Sequence, residues 1–214
     1  MHTYIRLLDR IVSRYGPSKI LSFNVAHVVK SLQLLQQNEY VSRARMSKEL
    51  GLGEGSIKTL IKHLRVNGMI NTKRAGCYLT GKGKKLSANL LSVIPNEVYI
   101  PTNSITVGNH NHAVLLRGYA FAVATGIEQR DAVIRFGGQG ATTLLFKDSR
   151  FVMPKTDYDC LNEEPDMRNL LMSKLKPQDD DVIIIGSASD KITAELGAKS
   201  AALFTIANHE KHHF

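Results

Sequence analysis

Lys58 and Lys62 stand four residues apart, with Thr59 between them and Ser56 and Arg65 close on either side. On a helix, positions i and i+4 are neighbours on one face, so both ammonium groups can meet successive phosphates of a polyanion. Ser56 and Thr59 add hydroxyls able to bond phosphate or base edges, and the lysines can also reach guanine acceptors in a major groove. Arg43 and Arg45 lie upstream, placed to clamp a phosphate, and Lys73 with Arg74 lie just downstream. Each residue alone reads equally well as a solvated charge; the constellation carries the argument. The implied chemistry is binding, and these residues hold no catalytic pair.

The elements that must position them are legible from periodicity. Ile57, Leu60, Ile61 and Leu64 recur at i, i+3, i+4 and i+7, which predicts a helix over about 54–66 with that stripe inward. Lys58, Thr59 and Lys62 then point outward. A short helix over 43–50, carrying Met46 and Leu50, precedes it across the turn GLGEG. Gly53 and Gly55 keep the second helix slender at its start, and its N-terminal dipole favours a phosphate there; Glu54 suits that end while slightly opposing an acidic partner. Asn67-Gly68 ends the helix, and two strands over about 69–73 and 76–80, turning at Arg74, Ala75 and Gly76, form a hairpin. A further helix opens with Lys82, Lys84 and Lys85. Two helices lie upstream, one over 3–14 burying Ile5, Leu8, Ile11 and Val12, and one from Ser22, its expected cap, burying Val25, Val28, Val29, Leu32 and Leu35; Pro17 separates them. Helix, turn, helix and hairpin in this order predict a winged helix-turn-helix.

Charge follows the same division. The 214 residues carry a net +9, but residues 1–94 hold 16 Lys+Arg against 4 Asp+Glu, net +12, and residues 95–214 hold 12 against 15, net −3. A local excess of that size gains from counterion release on a polyanion. No apolar run approaches the roughly 20 residues of a membrane span, and MHTYIRLLDRIVSRYG interrupts its apolar residues with charge, so no membrane association and a cytoplasmic location are expected. Cys77 and Cys160 are too few for a disulfide framework and read as reduced structural thiols. The expected boundary places a DNA-binding domain over 1–94 and an α+β effector-binding or dimerisation domain over 95–214, connected through the proline-flanked IPNEVYIP.

In the second domain the pattern predicts a strand over 112–117, a helix over 126–136, a hairpin of 142–147 and 151–153 around Asp148-Ser149, a helix over 166–175, a strand over 181–185, and a last helix from the 190s to about 208. The β-α-β-β-α-β order plus a C-terminal helix is an α/β sandwich compatible with a ferredoxin-like split βαβ sheet. Two stretches can make a ligand pocket, IIIGSASDK and GIEQRD, which nominates Arg117, Arg130, Asp131, Ser187 and Ser189. The competing reading of the first is plain helix capping by Ser189 or Asp190, and of the second a structural ion pair involving elements such as Arg117. There is no P-loop, no GxGxxG after a strand, no HExxH and no nucleophile elbow, and GGQGA follows a helix and reads as a turn. No catalytic residue, cofactor or metal ligand is assigned. His110 and His112, with His209, His212 and His213, suggest a metal sensor, but they lack carboxylate or thiolate ligands at fixed spacing and rank below solvated histidines.

GLGEGSIKTLIKHLRVNGMI, together with GIEQRDAVIRFGGQGATTLLFKDSRFVMP, resembles a small archaeal family of two-domain proteins in which a winged helix precedes a domain of unknown function. The similarity spans most of residues 22–190 and implies a transcriptional regulator without naming its effector. The expectation is a non-enzymatic regulator that binds double-stranded DNA as a homodimer and takes a small-molecule effector in its second domain. The alternatives are a winged-helix-fused enzyme of the archaeal riboflavin kinase type and a winged-helix protein-protein interaction module.

Overall fold

Asn24, two residues beyond the expected Ser22, starts the second helix. The structure, a computed structural model, describes residues 2–13 and 21–211; Pro17, His212 and His213 lie outside the described residues. The chain divides into two compact units, Met1–Leu90 and Leu91–Phe214.

In the first unit α1 (His2–Val12) buries Ile5, Leu8 and Ile11. Next comes α2 (Val25–Gln37), capped by Asn24, whose side chain accepts the Ala26 N–H at 3.0 Å while its own N–H reaches His27 Nδ1 at 3.2 Å. That reciprocal box satisfies two otherwise orphaned donors, which is why the helix begins there and not at Ser22. Val28, Val29, Leu32 and Leu35 turn inward as expected. Ser42 caps α3 (Arg43–Leu50), and Gly51, at φ 64, supplies the left-handed residue that ends it. After Leu52 and Gly53 the chain enters α4 (Glu54–Val66). Gly68, also left-handed, closes α4, with Met69 N–H returned to Leu64 O at 2.8 Å. The antiparallel strands β1 (Ile70–Lys73) and β2 (Gly76–Leu79) follow, and Val41 exchanges backbone hydrogen bonds of 2.9 and 3.0 Å with Cys77, adding a third short arm to the ribbon. A long α5 (Gly81–Val93) completes this part and runs across the unit boundary.

The second unit is a five-stranded antiparallel sheet of order β3-β4-β7-β5-β6, formed by β3 (Glu97–Ile100), β4 (His110–Leu116), β5 (Gly140–Lys147), β6 (Arg150–Val152) and β7 (Val182–Ala188). With it come α6 (Ile127–Phe136), α7 (Pro165–Leu175) and α8 (Lys191–Lys211). Two expectations are corrected. IPNEVYIP is no connection, because Glu97–Ile100 pairs with β4 as an edge strand. The sheet is also not ferredoxin-like: β4 and β5 run parallel with one strand between them, but that strand is β7, whereas the hairpin strand β6 is left at the edge.

The reason lies in β7 itself, VIIIGSA, which is buried along its whole length and so must be covered on both faces. Ile183 and Ile185 join Ala113, Leu115, Leu144, Phe146, Phe151 and the α7 residues Met167, Leu171 and Leu175 in one core. On the other face α8 packs against β4 and β7, and α6 against β5 and α8. Gly186 permits the approach of α8: a Cβ there would lie 2.8 Å from both Ala194 O and Ala198 N.

Candidate nucleic-acid interface

One face of α4 is core and the other is open. Ile57, Leu60, Ile61 and Leu64 are buried, and the buried His63 Nδ1 meets Ile11 O at 2.6 Å, tying α4 to the end of α1. Lys58, Lys62 and Arg65 are exposed on the opposite side. Ser56 and Thr59 are half-buried at its margin. The Thr59 hydroxyl donates to Gly55 O at 3.1 Å, so its proton serves its own helix and its remaining lone pair can only accept. A Cβ added at Gly53 or Gly55 would meet nothing within 4 Å, so the slender edge is on the open side.

Arg43, Ser47 and Lys48 from α3 line one cleft together with Glu54 and Lys58 from α4. Arg45, also exposed, is held differently: its Nη1 donates to Asn38 Oδ1 at 3.0 Å, just past the end of α2. On the hairpin, Lys73 Nζ lies 5.2 Å from the centroid of the Tyr78 ring, a cation–π contact that steadies an exposed charge, and Arg74 is exposed in the turn. Beneath this surface Cys77 is buried; burial raises its thiol pKa, against the lowering pull of Arg43 and Arg65.

The candidates in the second unit do not assemble. Arg117 Nη1 donates to Asp181 Oδ2 at 2.6 Å at one end of the sheet, while Ser187 lies at the other end, in register with Asn111 and Gly140. Ser187 is fully buried and its hydroxyl donates to Asn111 Oδ1 at 2.6 Å. Asp131 accepts from its neighbour Arg130 at 3.0 Å, both about half exposed, and does not pair with Arg117. Ser189 is exposed beside Asp190, which caps α8 by accepting Thr193 N–H at 2.9 Å and the Thr193 hydroxyl at 2.7 Å; those bonds hold the Asp190 carboxyl below its ordinary range. Capping therefore accounts for the strand-Gly-Ser-helix junction. Cys160 donates to Phe151 O at 2.8 Å, and burial pushes its thiol up to about 11.

A different group is brought together on the α8 side of the sheet. Glu97 of β3, His112 of β4, and Glu195 and Lys199 of α8 converge, with Lys199 wholly buried, hydrogen-bonded to Glu97 Oε2 and 2.7 Å from Glu195 Oε1. Burial alone would raise the Glu97 carboxyl, but the adjacent His112 imidazole and the Lys199 charge outweigh it and bring it down to about 2. Glu97 sat in the expected connection and Lys199 in the expected terminal helix, 102 residues apart. The only local signals were the i, i+4 pair Glu195/Lys199 and the alternate histidines of β4.

Two family models match the chain: "PH0730-like, N-terminal domain" over residues 25–85, and "Domain of unknown function (DUF4443)" over residues 107–206. The chain is thus similar to one family in its N-terminal part and to another in its C-terminal part. A solved archaeal structure, a hypothetical protein from Pyrococcus horikoshii OT3, is similar over 87% of this chain and 95% of its own, at 26% identity and a TM-score of 0.72. No curated protein matches. The α3-turn-α4-hairpin run lies wholly inside the N-terminal match, and the Glu97 strand falls between the two matched segments.

Proposed function

We propose that the first unit is a winged helix-turn-helix that binds double-stranded DNA, with α4 as the recognition helix, the β1–β2 hairpin as the wing, and the whole chain acting as a transcriptional regulator. The observation that carries this reading is the two-sidedness of α4: its apolar stripe and His63 are locked into the core while Lys58, Lys62 and Arg65 stand free of it on the side where Gly53 and Gly55 leave open space. A rigid helix offering cations beside a bare, positively polarised N-terminus suits phosphate contact and groove entry. Arg43, Arg45, Lys73 and Arg74 extend the footprint along the backbone, and Ser56 and Thr59 lie where base edges would be read. The net +12 of residues 1–94 supplies the long-range attraction. The second unit then serves dimerisation, effector binding or both, with a two-fold dimer presenting paired recognition helices one DNA turn apart.

The test is salt-dependent binding of the full chain to duplex DNA, followed by fluorescence anisotropy, for the parent and for Lys58→Ala combined with Lys62→Ala. Loss of two phosphate contacts flattens the log–log salt slope by about 1.8 and weakens affinity at every salt concentration. Equal affinity and slope in parent and double variant would remove α4 from the interface. Sequencing of genomic fragments recovered with the parent protein then identifies the operator.

A further inference from the structure

Four ionisable side chains under α8 play no part in the DNA-binding reading. Glu97 and His112 project from β3 and β4 on the α8 side of the sheet, and Glu195 and Lys199 face them one helical turn apart. His112 is nine-tenths buried, and its Nε2 has no hydrogen-bond partner although it lies 3.7 Å from Glu97 Oε2. A buried ring nitrogen held at ion-pair distance from a carboxylate but without a hydrogen bond is costly, so a fold that keeps one there calls for a reason. Two partly buried carboxylates, 26% and 19% exposed, share the single Lys199 ammonium at the same point.

We propose that Glu97, His112 and Glu195 form a binding site for a first-row divalent transition-metal cation, with the Lys199 ammonium as the built-in competitor for the same carboxylates. One ligand atom from each of the three lies within 4.8 Å of the other two. Adjacent ligands around a tetrahedral ion with bonds near 2.1 Å are about 3.4 Å apart, so side-chain shifts of about an ångström close the set. One imidazole nitrogen with two carboxylate oxygens separates this class of ion from magnesium and calcium, which take oxygen ligands alone, and from thiolate-selecting soft ions. Three protein ligands leave a position for water or a further ligand. The Lys199 ammonium occupies both carboxylates, so a doubly charged ion that enters must displace it from them.

The experiment uses the full chain and Co²⁺, whose visible absorption reports nitrogen and oxygen coordination, with Zn²⁺ as the displacing ion. The parent develops ligand-field bands that Zn²⁺ abolishes. Glu195→Gln and His112→Ala each weaken binding tenfold or more, and Lys199→Met, which removes the competing cation, tightens it tenfold or more. Thermal unfolding is followed in parallel: Zn²⁺ raises the Tm of the parent and leaves the Tm of His112→Ala unmoved. If Lys199→Met does not fold without metal, its recovery on adding Zn²⁺ supports the site, and the parent against His112→Ala decides. The proposal is overturned if Co²⁺ gives no ligand-field bands with the parent or Lys199→Met, or if the bands and the Zn²⁺-dependent Tm shift persist undiminished in His112→Ala, which would assign the metal to other histidines. Neither outcome bears on the salt slope measured with Lys58 and Lys62, so the two readings fail independently.

Discussion

Arg117 and Asp181 form an ion pair in which the carboxylate is completely enclosed while the guanidinium stays about one-quarter exposed, with Nη1 2.6 Å from Oδ2. Asp181 also accepts the N–H groups of Gly118 and Gln178, each at 2.8 Å, so one carboxylate fastens the ends of β4 and β7 and the loop before β7. Removing the cation leaves a buried charge with only neutral donors. Arg117→Ala is expected to lower unfolding stability by about 3 kcal/mol, read as a fall in the urea midpoint. An unchanged midpoint would return Arg117 to the ligand-binding role suggested by its sequence position.

Gly55 offers a contrast between fold and function. Nothing lies within 4 Å of a Cβ added there, so Gly55→Ala should raise stability by roughly 0.5–1 kcal/mol through helix propensity. The added methyl thickens the edge proposed to enter the groove, and duplex affinity should fall several-fold. A stabilised variant with undiminished affinity would move the contact surface elsewhere.

Gly83 behaves in the opposite way. A Cβ at this position would sit 2.0 Å from Met69 O, a backbone atom that cannot swing aside, whereas one at Gly81 meets nothing within 4 Å. Gly83→Ala is expected to cost about 2–4 kcal/mol by forcing α5 away from the Met69 backbone, and Gly81→Ala to leave stability within about half a kcal/mol. Thermal unfolding of the two variants side by side checks the difference.

His27 makes the stability depend on pH. Burial first, and the Lys30 charge second, lower its pKa from 6.5 to about 4. Its Nδ1 must also keep a lone pair for the Asn24 N–H. Above pH 6.5 the imidazole is neutral in both states and its contribution is complete; as pH falls the unfolded chain takes up the proton first, so stability drops between pH 6.5 and about 4 and then levels off. The loss is on the order of 3 kcal/mol. His27→Gln keeps an acceptor at the same helix position and should flatten the slope of urea midpoint against pH over this window. A slope unchanged in the variant would place the responsible group elsewhere.

How far the sequence could be read differs by element. The α4 stripe, the two strands after Gly68 and the cap region of α8 were legible because their signals lie within a few residues. Asn24 was missed as a cap because its partner at the third helical position is His27, outside the usual Glu or Gln pattern. The strand at Glu97–Ile100 was hidden because four residues between prolines carry little periodicity, and only pairing with β4 makes them a strand. Ser187 looked like part of a polar helix entrance, yet its hydroxyl is satisfied by Asn111 from a neighbouring strand.

What the order of residues determined by itself is therefore local: which segments are helix or strand, which side of each is apolar, and that the positive charge gathers before residue 94. Periods of 3.6 and 2 decide those matters within a turn or a few residues. Tertiary structure alone decided that β7 sits between β4 and β5, that Arg117 meets Asp181 and not Asp131, and that Glu97, His112, Glu195 and Lys199 converge. The Arg117–Asp181 and Glu97–Lys199 contacts join residues 64 and 102 positions apart, and such contacts are selected by which faces of the sheet must be covered, a requirement no short window of sequence records.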